Sequence, residues 1–123
     1  MSERPVTVVE LGSFLRSAAA AGLDDVERAG LVDFIARNAL SGVLVKGTGG
    51  LRKLRWARSG SGKSGGYRAV YYFHDWEAPV YAFLVYGKGK QADLTSEQRK
   101  IVSMLIVELK QAIRGMRGRD RTE

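Results

Sequence analysis

Three segments in the middle of the chain alternate between apolar and polar residues with the two-residue period of a β-strand. In the first of them, Leu54 and Trp56 fall on one face, and Lys53 and Arg55 fall on the other. The third is almost wholly apolar, which predicts a central strand that is buried on both faces. The connections between the segments are short and therefore predict an antiparallel meander. The three predicted strands span residues 51–58, 67–73 and 80–88.

The other two segments divide their side chains in the same way. On the second segment, Arg68, Val70 and Tyr72 share a face. On the third, the alternation predicts a common face for Ala82, Leu84, Tyr86 and Lys88. If the strands pair in chain order, basic and tyrosine side chains from all three converge on one side of the sheet.

The residues before this meander predict a short strand and two helices. The β-rich segment 5–9 is expected at a sheet edge, because its proline cannot donate to a ladder hydrogen bond. Apolar residues at helical spacing predict a helix over 10–21. A second helix is expected to begin after Asp24, which forms a capping box with Glu27, and to end near Asn38. The pair predicts a helical hairpin packed on one face of the sheet.

The chain after the meander predicts one further helix. Thr95 is the expected N-cap, with Gln98 at the position of the capping box. Residues 115–123 contain few apolar side chains, so we expect a basic, mobile tail after a single domain over 1–114. The predicted apolar stripe of the helix consists of Ile101, Met104, Leu105, Leu109, Ala112 and Ile113.

These elements, in the order β-α-α-β-β-β-α, predict an α+β domain with a twisted, mainly antiparallel sheet. The helical hairpin and the C-terminal helix are expected to pack on this sheet. The glycine-rich connection 41–50 has an apolar centre, Val43 to Val45, which we expect to rest on the core.

Composition narrows the functional classes. The 123 residues carry a net charge of +7, and 45% of them are hydrophobic. The absence of cysteine excludes disulfides and thiolate metal sites, and the single histidine argues against zinc. We therefore expect no metal and no cofactor. No apolar segment is long enough for a signal peptide or a membrane span, so the expected compartment is the cytoplasm, without membrane contact.

The positive charge is concentrated in one acid-free stretch. No acidic residue occurs between Asp33 and Asp75. Cations hold phosphates and aromatic rings stack on unpaired bases, so this stretch predicts a surface for RNA. The alternative is a solvated sheet face whose cations serve solubility. The cations of the stretch are Arg37, Lys46, Arg52, Lys53, Arg55, Arg58, Lys63 and Arg68.

One motif within this stretch points to nucleotide binding but lacks the necessary context. Residues 57–64, ARSGSGKS, match a loose P-loop pattern. A phosphate-binding P-loop needs a helix directly after its Lys-Ser, whereas here two glycines and a β-rich segment follow. We interpret the segment as a basic hairpin loop that contacts the RNA backbone through Arg58 and Lys63.

The predicted cationic face of the sheet, with Lys53, Arg55, Arg68 and Lys88, has the side chains needed to assist cleavage of RNA. RNA is cut when its own 2′-hydroxyl attacks the adjacent phosphate, and cations stabilise the charge that develops on the transition state. A lysine among several cations can serve as the base, and Tyr86 can stack on a base or pass a proton. For His74, at the end of the second strand, a structural or surface role is favoured over acid–base catalysis.

Four sequence segments resemble the RelE/HigB group of toxins from type II toxin–antitoxin systems, and more closely its HigB-like branch. They are GTGGLRKLRWA, GKSGGYRAVYYFH, LVYGKGK and ADLTSEQRK. The resemblance covers roughly residues 24–101. It implies a RelE-like fold and a metal-independent mRNA endonuclease that cleaves mRNA in the A site of the 70S ribosome. It also implies a cognate antitoxin, HigA-like with a helix-turn-helix, through which alone the pair would bind operator DNA.

The resemblance also implies roles for individual residues. An aromatic residue that better-known relatives carry near the C-terminus has no counterpart here, so Tyr72 or Tyr86 takes its place. The implied catalytic residues are Lys53, Arg55, Arg68, Tyr86 and Lys88. The RNA-binding candidates are Arg52, Arg58, Lys63, Tyr72 and Lys90.

Two alternatives from other functional classes remain. One is a non-enzymatic toxin of the ParE type, which acts on DNA gyrase and lacks the cationic cleavage residues. The other is an RNA-binding or ribosome-binding module without turnover, for which strongly salt-dependent binding and no cut product are expected.

Overall fold

The computed structural model describes residues 6–57, 66–87, 89, 91 and 93–121, with side chains up to Arg117. It is an α+β structure with a five-stranded mixed sheet in the order β1-β5-β4-β3-β2. Strands β3, β4 and β5 form the expected antiparallel meander, and β1 pairs with β5 in parallel at one edge. The elements are β1 (Val8–Glu10), α1 (Gly12–Ala20), α2 (Asp25–Arg37), β2 (Val43–Leu44), β3 (Leu51–Ala57), β4 (Gly66–Tyr72), β5 (Val80–Gly87) and α3 (Ser96–Arg121).

The sheet has a core on each face, because strand side chains alternate between the faces. Helices α1 and α2 cover one face, where Phe14, Leu31 and Ile35 pack on strand residues such as Ala69 and Tyr71. Helix α3 covers the other face. There Val102 and Ile106 belong to a second cluster, which also contains the strand residues Leu51, Val70, Tyr72, Phe83 and Tyr86.

Tyr71 connects the first core to the loop after α2. Its side chain is fully buried, and its hydroxyl donates to the carbonyl of Ala39 (2.8 Å) and accepts from the amide of Gly42 (3.1 Å). Burial raises the pKa of this hydroxyl, which therefore stays protonated. A β-carbon at position 42 would lie 2.6 Å from the tyrosine oxygen, so the contact requires glycine.

Both predicted capping boxes are confirmed. At the start of α2, Asp24 accepts from the Glu27 amide (2.8 Å), and the Glu27 carboxylate accepts from the Asp24 amide (2.9 Å). At the start of α3, Thr95 and Gln98 make the same reciprocal pair at 3.0 and 2.9 Å. These bonds satisfy amides that have no partner inside a helix, which is why the pattern marks helix starts so clearly.

The connection 41–50 differs from the prediction. Val43 and Leu44 do not rest on the core; they form the short edge strand β2, opposite Lys53 and Arg52 of β3, and are 69% and 59% exposed. Only Val45 packs against a core cluster. The backbone of this segment is satisfied by pairing with β3, and this fixes its place although its side chains remain in solvent.

The orientation and length of α3 also differ from the prediction. Its core-facing residues are Val102, Ile106, Leu109 and Ile113. The predicted stripe residues Ile101, Met104, Leu105 and Ala112 are exposed. Apolar residues lie on two neighbouring sides of this helix, so their period alone does not identify the buried side. The helix also continues to Arg121, through most of the segment 115–123 that was expected to be a mobile tail.

A register shift in the β4–β5 ladder changes the faces of β5. Val70 pairs with Leu84 but Tyr71 pairs with Ala82, so the ladder passes over Phe83. The predicted common face of Ala82 and Tyr86 is therefore wrong. Ala82 packs in the α1–α2 core, while Phe83 and Tyr86 pack beneath α3. A bulge of this kind inserts one residue and reverses the alternation beyond it.

Within the described part of the chain, no helix combines the length and apolar character that crossing a bilayer requires.

Candidate nucleic-acid interface

Strand pairing aligns three of the predicted catalytic residues in one row across the sheet. Arg55 of β3 lies opposite Arg68 of β4, and Arg68 lies opposite Tyr86 of β5. Lys53 lies two residues along β3 on the same face, opposite Val70. Directly opposed residues in antiparallel strands have β-carbons about 5 Å apart, so the three side chains of the row are neighbours.

Among the described residues, neither Arg55 nor Arg68 forms an ion pair with a carboxylate. Arg68 is half-buried, and one terminal nitrogen of its guanidinium is fully buried without a hydrogen-bond acceptor. Like charges in opposed positions destabilise a sheet, and a buried charged donor without an acceptor is unfavourable. An anion bound at this row would relieve the repulsion between the two guanidinium groups.

Tyr86 completes the row with a buried hydroxyl. The residue is 7% exposed, and its oxygen has no hydrogen-bond partner in the part of the chain that the structure describes. Burial raises its pKa, the negative charge of Asp93 raises it further, and the positive charge of Arg68 acts in the opposite direction. The hydroxyl therefore remains protonated at neutral pH.

Lys53 has a carboxylate partner that the sequence interpretation missed. Its Nζ lies 3.1 Å from Oδ1 of Asp93, and Nη2 of Arg99 lies 4.0 Å from Oδ2 of the same residue. A hydrogen bond from the amide of Leu94 is the largest cause of the lowered pKa of Asp93, followed by the hydrogen bond from Lys53. One feature of the sequence could have drawn attention to this carboxylate: Asp93 is the only acidic residue between Glu77 and Glu97.

Two RNA-binding candidates are not on this surface. Arg52 lies on the opposite face of β3, because it directly precedes Lys53 in an alternating strand. One of its guanidinium nitrogens donates to the carbonyls of Leu40 (3.2 Å) and Gly42 (2.8 Å), so it holds the loop after α2. Tyr72 is on the correct face but only 3% exposed beneath α3, which leaves no ring face for a base to stack on.

Four other candidates, Arg58, Lys63, Lys88 and Lys90, lie outside the described residues. The structure does bear on the P-loop-like motif, because the first described residue after it, Gly66, begins strand β4. A strand in this position lacks the helix N-terminus that a P-loop offers to phosphate.

His74 belongs to a separate cluster, beyond the end of β4 that is distant from Arg68. Its Nδ1 is hydrogen-bonded to the Tyr72 hydroxyl (2.8 Å), and its Nε2 lies 3.9 Å from Oδ2 of Asp75. Asp75 receives two hydrogen bonds from the guanidinium of Arg117, at 2.7 and 2.9 Å. These contacts connect β4 to the C-terminal half of α3, in agreement with the structural role favoured for His74.

A comparison with models of protein families finds none that matches this chain. In the ranges that the structure describes, His, Asp and Glu side chains form no group of three or more that could hold a metal ion.

Proposed function

We propose that this chain is the toxin of a type II toxin–antitoxin system, a ribosome-dependent mRNA endonuclease of the RelE/HigB kind. The observation that carries the proposal is the row Arg55–Arg68–Tyr86, in which two guanidinium groups without a carboxylate partner among the described residues lie beside a protonated phenol. The order of elements, with two helices before a β-meander and one after it, is compatible with a RelE-like fold. The resemblance of the sequence segments supplies the identity of the substrate.

In the proposed reaction, the 2′-hydroxyl of the mRNA attacks the adjacent phosphorus, and the bond from phosphorus to the 5′-oxygen breaks. Arg55 and Arg68 stabilise the negative charge that develops on the non-bridging oxygens. Tyr86, which is protonated at neutral pH, donates its proton to the departing 5′-oxygen once the groups that cover its hydroxyl have moved aside. Lys53 positions the phosphate as a cation. The proton of the attacking 2′-hydroxyl passes to solvent, from which Tyr86 regains its own proton after cleavage. The products are a 2′,3′-cyclic phosphate and a free 5′-hydroxyl.

The proposed setting is the bacterial cytoplasm, with mRNA in the ribosomal A site as substrate. A cognate HigA-like antitoxin, produced beside the toxin, would keep it inactive by direct binding and would provide the only route to operator DNA. These partners rest on the resemblance and on the +7 net charge, which favours association with ribosomes and nucleic acid.

The proposal is tested by cleavage on translating ribosomes in a reconstituted translation system with one defined mRNA. The parent protein should produce new 5′ ends within codons of that mRNA. Arg68→Gln should lower the rate by about 100-fold or more, the usual effect of removing one group that stabilises a transition-state charge. Arg16→Gln is the matched control, because Arg16 is exposed on α1, in the opposite helical layer.

The control should cleave at the parent rate. Equal cleavage by parent and Arg68→Gln would contradict the assigned site. Strong ribosome binding by the parent without any new 5′ end would instead identify a binding module without turnover.

A further inference from the structure

Asp93 is an anion placed inside a cationic site. Its carboxylate lies between Lys53 of β3 and Arg99 of α3, at 3.1 and 4.0 Å, and close enough to Tyr86 for its charge to act on that hydroxyl. These neighbours include two of the groups proposed to handle the RNA phosphate. The carboxylate thus occupies a place where the site would receive an anionic ligand.

The contacts of this carboxylate are exchangeable. Its side chain is 52% exposed, and ion pairs in such positions are weak because water screens them. One bond, from the Leu94 amide to Oδ1 (2.8 Å), is local to the turn. The backbone carbonyl of Asp93 separately accepts from Nε2 of Gln91 (2.8 Å), so the chain can stay in place when the carboxylate turns away.

Arg99 is positioned to serve the same ligand. One of its guanidinium nitrogens donates to the carbonyl of Lys46 (3.3 Å), which holds the group at the end of the sheet, and the side chain is 36% exposed. A guanidinium and an ammonium facing one anion suit a phosphodiester, which has two charged oxygens and forms short, charge-assisted hydrogen bonds.

We infer that Lys53 and Arg99 form a phosphate-binding subsite that the Asp93 carboxylate fills in the free protein, and that an RNA phosphodiester displaces this carboxylate. Arg99 is then an RNA-binding residue contributed by α3, and Asp93 restrains the site until RNA arrives. The choice of RNA as the ligand rests on the proposed function. The subsite itself rests on the three side chains and their distances.

The test measures binding of a fluorescein-labelled, single-stranded 2′-O-methyl RNA, which cannot be cut, by fluorescence anisotropy at fixed salt. Asp93→Asn keeps an oxygen for the Leu94 amide but removes the competing charge. We expect it to bind this RNA about fivefold more tightly, given the modest strength of half-exposed ion pairs. Asp33→Asn is the matched control: it also adds one unit of positive charge, but from the exposed surface of α2, where Asp33 pairs with Arg37.

The control should change the dissociation constant by less than about twofold, because its charge lies far from the site and is screened. Arg99→Gln should weaken binding, and adding it to Asp93→Asn should remove the gain. Thermal unfolding of each variant checks that the fold is retained. An Asp93→Asn variant that binds no more tightly than Asp33→Asn, or a double variant that keeps the gain, would overturn the inference.

Failure of this inference and failure of the proposed function give different results. Tighter binding by Asp93→Asn without any cleavage on ribosomes would leave the subsite standing and reject the endonuclease. Cleavage on ribosomes together with identical RNA binding by Asp93→Asn and Asp33→Asn would support the endonuclease and reject the subsite.

Discussion

At the scale of single residues, two tyrosines on the same sheet face differ in one hydrogen bond. Tyr72 and Tyr86 are both almost completely buried beneath α3. The Tyr72 hydroxyl is hydrogen-bonded to His74, whereas the Tyr86 hydroxyl has no partner among the described residues. A buried hydroxyl without a partner lowers stability, and the proposed function gives the Tyr86 hydroxyl a role as a proton donor.

This difference predicts that Tyr→Phe substitutions at positions 72 and 86 have opposite effects on stability and on cleavage. Tyr72→Phe removes a made hydrogen bond and should lower the free energy of unfolding by about 1 kcal/mol, with cleavage little changed. Tyr86→Phe removes a hydroxyl that makes no hydrogen bond to the described residues. It should therefore leave the free energy of unfolding within about 0.5 kcal/mol of the parent. It should also slow cleavage about 100-fold, as expected for loss of a general acid.

Urea unfolding and cleavage on ribosomes measure the two effects. The role given to Tyr86 would be contradicted if Tyr86→Phe cleaved at the parent rate.

At the scale of elements, the features set by local chemistry were predictable and those set by tertiary packing were not. The capping boxes at Asp24 and Thr95 could be predicted because both partners lie within four residues. The exposed position of Ile101 could not, because two sides of α3 are apolar and only the sheet determines which is buried. The bulge at Phe83 likewise depends on pairing with β4.

A second prediction at this scale concerns the attachment of α3 to β4. The bidentate bond from Arg117 is the largest cause of the depressed pKa of Asp75. Asp75→Asn keeps an oxygen for the backbone amides of Glu77 and Ala78 but loses the charge that Arg117 binds. Because the pair is partly exposed and screened, we expect a loss of about 0.5–1 kcal/mol in the free energy of unfolding at pH 7.

The loss should depend on pH in a defined direction. A carboxylate whose pKa is lower in the folded state stabilises the protein above its unfolded pKa of about 4, and that stabilisation disappears as pH falls through the folded value. The difference between parent and Asp75→Asn should therefore be constant from pH 7 to about 5 and shrink below about 4. Urea unfolding across this range measures it, with Arg114→Gln, an exposed change on the same helix, as control. A difference that grew towards low pH would contradict the assignment.

At the scale of the whole molecule, one end of the sheet face under α3 is cationic and the rest is apolar. The alternation within β3 was enough to predict that Lys53 and Arg55 share a face, whereas placing Arg68 beside them also required the pairing of β3 with β4. The Lys53–Asp93 pair could not be predicted, because it joins residues 40 positions apart. The same holds for the contact between Arg99 and the Lys46 carbonyl, which joins α3 to the start of the meander.

We propose that this face cuts mRNA on the ribosome. The most direct measurement is induction of the chain alone in a bacterium, with mapping of mRNA 5′ ends in the presence and absence of a translation block. We expect new 5′ ends within codons that disappear when translation is blocked, and that are missing for a Lys53→Ala, Arg68→Ala double variant. Growth arrest without new 5′ ends would contradict it and favour a non-nucleolytic target such as DNA gyrase.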